Sequence, residues 1–367
     1  MTNLLKLTWM LAVSVALAVK GLPEAWQEGA SGDGMTSATN RLVGLTEHMR
    51  PICVGRFVID VPESAEVIYG PARLPVEIWR REGEGVDFDL AVGRAVAESE
   101  TRRWLGYGPP AEKGSLVGKV MDGFTNNQKI VFGVGRADGA YYNVQSLIKL
   151  GDDLYIQEYQ AFGEGHKYQK ALTDATEIAR RLRRRADEEI PSEPGICLDG
   201  AFLHEPHRYM VEAVSLGIRL KEFEDVRVSI EMTKKEIRIE SDALEPRLKA
   251  AERDAIASGK GAWYDRIRIL RKGTRRVGSW DGYEVGARIP AQKEGEEHHE
   301  FAYLSQGEPK NPLLPVLDIQ MQSGVKGNVI GRVKPSINDE EALYLWEKFL
   351  GSIRPRTVRA SMHESGQ

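Results

Sequence analysis

The chain has 367 residues, of which 41% are hydrophobic and 28% charged, and its 50 basic and 54 acidic side chains leave a net charge of −4. That balance is ordinary for a globular protein and excludes a disordered chain, a collagen, a coiled coil and a polytopic membrane protein. It also excludes the global basic field that holds nucleic acid, and the two cysteines are too few for a disulfide-dense scaffold or an all-thiolate zinc site.

In chain order, Lys6 precedes an apolar run over residues 7–19, about 13 residues long. This is shorter than the roughly 20 residues of a membrane-spanning helix. It matches the apolar core of a secretory signal, with Ala16-Leu17-Ala18 as a small-residue cleavage site. The expectation is export, by a cleaved signal or an N-terminal anchor, with any membrane contact confined to that segment. No cysteine lies near residue 19, which argues against a bacterial lipid anchor. Residues 1–45 read as an export signal and a loose leader.

The first module is expected over 46–190. It opens with one strand over 53–62, followed by short strands at 66–69 and 75–80. Phe88, Val92 and Val96 predict a helix over 87–104, closed by Gly106, Gly108 and Pro109. Four strands follow, at 116–122, 128–134, 140–150 and 153–162. The glycines of 133–139 read as a hairpin turn rather than a nucleotide loop. A helix over 168–186 ends the module. The run Asp187-Glu188-Glu189-Ile190-Pro191-Ser192-Glu193-Pro194-Gly195 reads as an exposed linker.

The second module, 195–357, repeats the order. A strand opens at 196–203, and others are expected at 207–214, 225–232 and 236–240. A helix over 242–258 carries Leu244, Leu248, Ala251 and Ala255 on one stripe. Strands recur at 265–271, 280–289, 298–305 and 315–321. The last helix starts at an Asn338 cap, with Asp339, Glu340 and Glu341 in its first turn, and stops at Pro355. Residues 358–367 form a tail. The repeated order predicts an α+β fold of two similar modules, each an antiparallel sheet with two helices packed on one face, by tandem duplication.

Cys53 opens one module and Cys197 the other, 144 residues apart. They read either as a disulfide tying the modules at their first strands, since an oxidising compartment favours pairing, or as two buried thiols. The serine-hydrolase elbow and the phosphate-binding glycine loop are both missing from the sequence. His204, His207, His298 and His299 lie beside carboxylates, but Pro206 breaks a helical metal motif and adjacent histidines face opposite sides of a strand. They read as loop or edge residues rather than ligands. No cofactor or metal is expected. The cationic run from Arg180 to Arg185 reads as a helix C-terminus balanced by the acids after it, with a lipid or anionic partner as the alternative. Residues 292–300 read as a projecting hairpin tip whose Glu294, Glu296 and Glu297 are candidate partner contacts.

The segments CVGRFVIDVPESAEVIYG at 53–70 and GICLDGAFL at 195–203, with the leader and the two-module layout, resemble the two-domain immunity proteins that neutralise type VI secretion phospholipase effectors, the class paired with the fourth lipase-effector family. The resemblance implies a periplasmic, non-enzymatic protein that binds a secreted lipase with both domains and blocks its lid or substrate entrance. The alternatives are an exported metal-binding protein or hydrolase using His204, His207, His298 and His299, and an envelope lipid-binding scaffold.

Overall fold

The structure is a computed structural model that describes residues 37–104, 115–135, 141–162, 168–205, 211–292 and 295–359. The export signal, His207, Glu294 and most of the tail lie outside these residues.

In chain order the elements are helix α1 (Ser37–Glu47), strands β1 (Met49–Val54), β2 (Phe57–Pro62), β3 (Glu66–Tyr69), β4 (Ala72–Arg73) and β5 (Glu77–Arg81), and helix α2 (Phe88–Trp104). Then come β6 (Val120–Asp122), β7 (Gln128–Val134), β8 (Tyr141–Leu150), β9 (Asp153–Phe162), α3 (Gln169–Arg181), β10 (Leu182–Arg184), β11 (Gly195–Leu198), β12 (Ala201–His204), β13 (Glu212–Arg219) and β14 (Arg227–Lys234). The chain continues through a 3-10 turn (Glu240–Asp242), α4 (Leu244–Ala257), α5 (Gly261–Tyr264), β15 (Arg268–Val277), β16 (Trp280–Ile289), β17 (His298–Ser305), β18 (Val316–Gln322), α6 (Asp339–Ser352) and β19 (Arg354–Pro355).

The fold is α+β, with antiparallel ladders and helices. Its compact units interleave along the chain. One comprises residues 1–51, 58–68 and 216–354; the other comprises 52–57, 69–215 and 355–367. These units do not coincide with the contiguous halves 46–190 and 195–357, because the chain changes unit inside β1, near the start of β2, and inside β3, β13 and β19.

In the unit built mainly from residues 69–215, the sheet runs β4–β5–β9–β8–β7–β6. Strand β7 is apolar on both sides. Ile130 and Phe132 pack under Ala171 and Ala175 of α3, while Val131 packs with Phe88 and Ala91 of α2. The helices therefore cover both faces of the sheet, not one as expected, since a strand without polar alternation has no face to give to water. In the other unit the sheet runs β15–β16–β17–β18–β14–β13. Leu244 and Leu248 of α4 pack on Val285, Ala287, Ile289 and Leu304, and Trp346 of α6 packs against Phe301 with ring centroids 5.4 Å apart. Again two faces are covered.

Other expectations need correction. The leader is not loose from residue 37 onward: α1 carries Leu42, which is fully buried, and Arg41 pairs with Glu341 of α6 at 2.7 Å. The strand over 53–62 is a hairpin, because Gly55 takes φ +58° and turns the chain between β1 and β2. The strand over 196–203 is a hairpin for the same reason, at Gly200. Residues 236–240 form a loop into the 3-10 turn rather than a strand. The Asn338 cap is as read: its side chain accepts from the Glu341 amide at 3.0 Å while Glu341 accepts from the Asn338 amide at 2.8 Å.

Candidate functional site

The histidines do not converge. His204 is exposed at the end of β12. His298 and His299 are consecutive on β17, so they face opposite sides, and both are buried. Burial alone would lower the His298 pKa, but its bond to Glu300 Oε1 at 3.0 Å and the Glu296 carbonyl at 3.1 Å outweigh that and hold it above the usual histidine value. His299 goes the other way. Burial, then Arg288, His298 and Arg268, pushes it down to about 4, so it is neutral.

His299 Nε2 lies 2.8 Å from Asp339 Oδ1, and its Nδ1 lies 2.8 Å from Ser323 Oγ. Asp339 can only accept, so Nε2 carries the proton and Nδ1 accepts from the Ser323 hydroxyl. This is the connectivity of a Ser–His–Asp relay, on residues no sequence motif singles out. Ser323 and His299 are each only 1% exposed, and Ser323 Oγ also accepts the His299 amide at 3.0 Å. Asp339 is further held by Arg268 and Arg288. A nucleophile needs a substrate within reach; here the relay is a clasp joining β17, the end of β18 and the first turn of α6. Among the described residues, no group of three or more His, Cys, Asp or Glu is arranged to hold a metal.

The acidic tip is partly consumed by the fold. Glu297 is exposed and pairs with Arg288 at 2.9 Å; Glu296 is exposed. The arginine run ends a helix only in its first two residues, Arg180 and Arg181, which lie in the last turn of α3. Leu182, Arg183 and Arg184 continue as β10, paired with Leu203, Phe202 and Ala201 of β12. Arg181 pairs with the buried Glu205, Arg183 with Glu189 at 2.7 Å and with Glu193, and Arg185 is 2% exposed, donating to the carbonyls of Ala186, Asp187, Glu189 and Leu198. Of the five arginines only Arg180 and Arg184 are exposed, which leaves little of the cationic patch for a lipid surface.

The segment 187–195 is likewise pinned rather than free. Arg356 donates to the carbonyls of Pro191, Glu193 and Gly195, and burial lowers its pKa to about 10. Cys53 and Cys197 form a disulfide with Cα atoms 5.8 Å apart, buried with Phe202 and Ile190. Both cysteines fall in the same compact unit, so the bridge closes one unit instead of tying two modules. Nearby, the buried Arg56 holds Glu212 through two bonds of 2.9 and 2.7 Å and the Glu205 carbonyl at 3.0 Å.

A feature that sequence reading missed is a cavity of about 240 Å³ in the unit containing residues 216–354. Glu231, Thr233 and Lys235 line it from β14 and the residue after it, Leu304 and Gln306 from the end of β17, Val316 and Asp318 from β18, and Asp242 and Arg247 from the turn and α4. Glu231 and Asp318 are direct cross-strand neighbours. Burial raises the Asp318 pKa above the usual carboxylate value, in part opposed by its bond from Gln320 and by Arg247.

Residues 189–358 match the family described as the Tle cognate immunity protein 4 C-terminal domain. No curated protein matches the chain. Three solved structures share the fold over most of the chain. A chain of the Tle4–Tli4 complex is 23% identical with a TM-score of 0.70, covering 85% of this chain and 99% of that one. The apo immunity protein TplEi of the type VI secretion system from Pseudomonas aeruginosa is 23% identical with a TM-score of 0.67, covering 85% and 98%. The same immunity protein complexed with an "L" peptide is 22% identical with a TM-score of 0.63, covering 84% and 99%.

Proposed function

We propose that this chain is a periplasmic immunity protein that binds a type VI secretion phospholipase effector and inhibits it by blocking lid opening or substrate access. The observation that carries this reading is the match of residues 189–358 to the immunity-protein domain. The shared fold with solved immunity proteins over 85% of the chain supports it. So does the chemistry of the described side chains. Their charged and hydrogen-bonding groups knit the fold together, and the Ser323–His299–Asp339 relay is sealed from substrate. An inhibitor requires shape and anchor residues but no nucleophile. The apolar segment 7–19 supports export, and the buried disulfide fits an oxidising compartment.

The test is co-expression with a lipase encoded beside the gene and directed to the periplasm. The full chain should restore growth and co-purify with the lipase, and a chain lacking residues 1–18 should stay in the cytosol and fail to protect. Full protection by that truncated chain would defeat the periplasmic reading. Protection lost in a His299→Gln/Ser323→Ala variant that still folds and binds the lipase would argue for catalysis instead.

A further inference from the structure

We propose that the cavity between β14, β17, β18 and α4, with the apolar rim formed by Ile237, Ile239 and Leu313, is a docking surface for a protein partner that inserts one basic side chain between Glu231 and Asp318. The proposal rests on the immunity reading and names where on this chain the lipase is held.

The rim is exposed and apolar. Ile237 is 66% exposed, Ile239 42% and Leu313 46%. They come from two loops that are tied together: the Lys310 amide donates to the Lys235 carbonyl at 2.8 Å, and Gln306 Nε2 donates to the Ile239 carbonyl at 2.9 Å. The second loop is held in one shape. The Glu308 amide bonds the Leu314 carbonyl at 2.7 Å, the Leu313 amide bonds Asn311 Oδ1 at 2.9 Å, and Asn311 Nδ2 bonds Glu308 Oε2 at 2.8 Å. Gly307 takes φ +59°, where an added Cβ would sit 2.3 Å from the Pro315 carbonyl oxygen. Lys310 takes φ +66°, a region unfavourable for a side-chain-bearing residue that persists where the surroundings impose it. A loop fixed in advance loses little entropy when a partner arrives.

The cavity supplies the charge. Lys235 and Asp242 pair with each other at 3.4 Å. That leaves Glu231 and Asp318 facing across the strands, with Arg247 as the remaining cationic group of the lining. Two carboxylates against one guanidinium favour an incoming cation; burial is the main cause of the raised Asp318 pKa, with a smaller contribution from Glu231. Leu304 and Val316 give the aliphatic stem of a lysine or arginine an apolar wall. Exposed apolar side chains on loops beside a partly buried charged socket are the layout of an interface anchor. A small free cation would have no use for the rim, so the occupant is a protein.

Two variants of the full chain test this against the lipase encoded beside the gene, by calorimetry at low and high salt. Ile237→Asp/Leu313→Asp should weaken binding by about 30-fold or more. Glu231→Gln/Asp318→Asn should weaken it about tenfold or more and flatten its salt dependence. That second variant also removes like-charge repulsion, so its thermal midpoint should stay level or rise; loss of binding without loss of stability is not what a purely structural role gives. If the wild-type chain binds the lipase and both variants bind within twofold of it, the docking surface is elsewhere and the immunity reading stands. If the wild-type chain does not bind the lipase, the immunity reading fails and this surface fails with it. If the rim variant changes self-association of the chain instead of lipase affinity, the occupant is a second copy and the proposal is overturned.

Discussion

His298 and His299 are neighbours in sequence and opposites in electrostatics. A histidine whose pKa is lowered in the fold takes up its proton more readily when unfolded, so it costs stability as pH falls below about 6.5 and down to the folded value. For His299, with its folded value at about 4, the loss between pH 7 and pH 5 is about 2 kcal/mol. His298 has the reverse sign: its raised pKa adds stability below the unfolded value, and that contribution disappears as pH rises through the folded one. Denaturant unfolding of wild type and His299→Gln between pH 5 and pH 7 should therefore give curves that differ in slope, with the variant flatter toward acid. Parallel curves would mean that His299 is not held neutral. Ser323→Ala leaves the His299 amide and ring short of a partner in a buried site, so it should cost about 1–3 kcal/mol. The opposite facing of the two rings was legible from strand alternation. Their partners were not, because Ser323 and Asp339 are 24 and 40 residues away and meet His299 only through sheet pairing and the placement of α6.

At the scale of elements, what sequence reveals depends on how local the cause is. The α6 cap was legible because the Asn338 and Glu341 exchange involves four consecutive residues. Asn338→Ala should cost about 1 kcal/mol, measurable as a lower thermal midpoint. Strands β7, β8, β9, β16, β17 and β18 were legible from branched and aromatic runs, and β7 even carried the signal for two covered faces in its unbroken Ile130-Val131-Phe132. The arginine run misled because periodicity and charge both continue a helix past Arg181, whereas pairing of Leu182 with Leu203 stops it, and that partner lies 21 residues on. Helix α1 was hidden in a Gly- and Ser-rich stretch, and its stability comes from α6: Leu42 is fully buried, Arg41 reaches Glu341, and Thr46 Oγ1 lies 2.8 Å from the Tyr344 hydroxyl. Leu42→Ala should cost about 2–5 kcal/mol, as for other buried leucines. A loss below about 0.5 kcal/mol in denaturant titration would mean that α1 is detached in solution.

At the scale of the whole molecule, the interleaved units change which pieces of chain can stand alone. Residues 195–357 contain most of one unit but leave out its residues 37–51 and 58–68, with Leu42, Ile59 and Val61 all buried in the intact chain. That fragment should therefore be less stable than the full chain even though it spans nearly all of the immunity-protein domain match. The other unit is closed by Cys53–Cys197 across 144 residues. By loop-closure entropy, a bridge of that span removes about 5 kcal/mol of freedom from the unfolded chain. The sulfurs are buried with Phe202, so a reductant reaches them only when the unit opens. Two consequences follow for measurement. Cys53→Ala/Cys197→Ala should unfold at a markedly lower urea concentration than the oxidised chain. Wild type mixed with dithiothreitol should lose its bridge at a rate that rises with urea as opening becomes more frequent. Reduction at a rate independent of urea would place the bridge at an exposed surface. A double variant within about 1 kcal/mol of wild type would mean that the unfolded chain is already compact around these strands, since the bridge acts through the freedom it removes there.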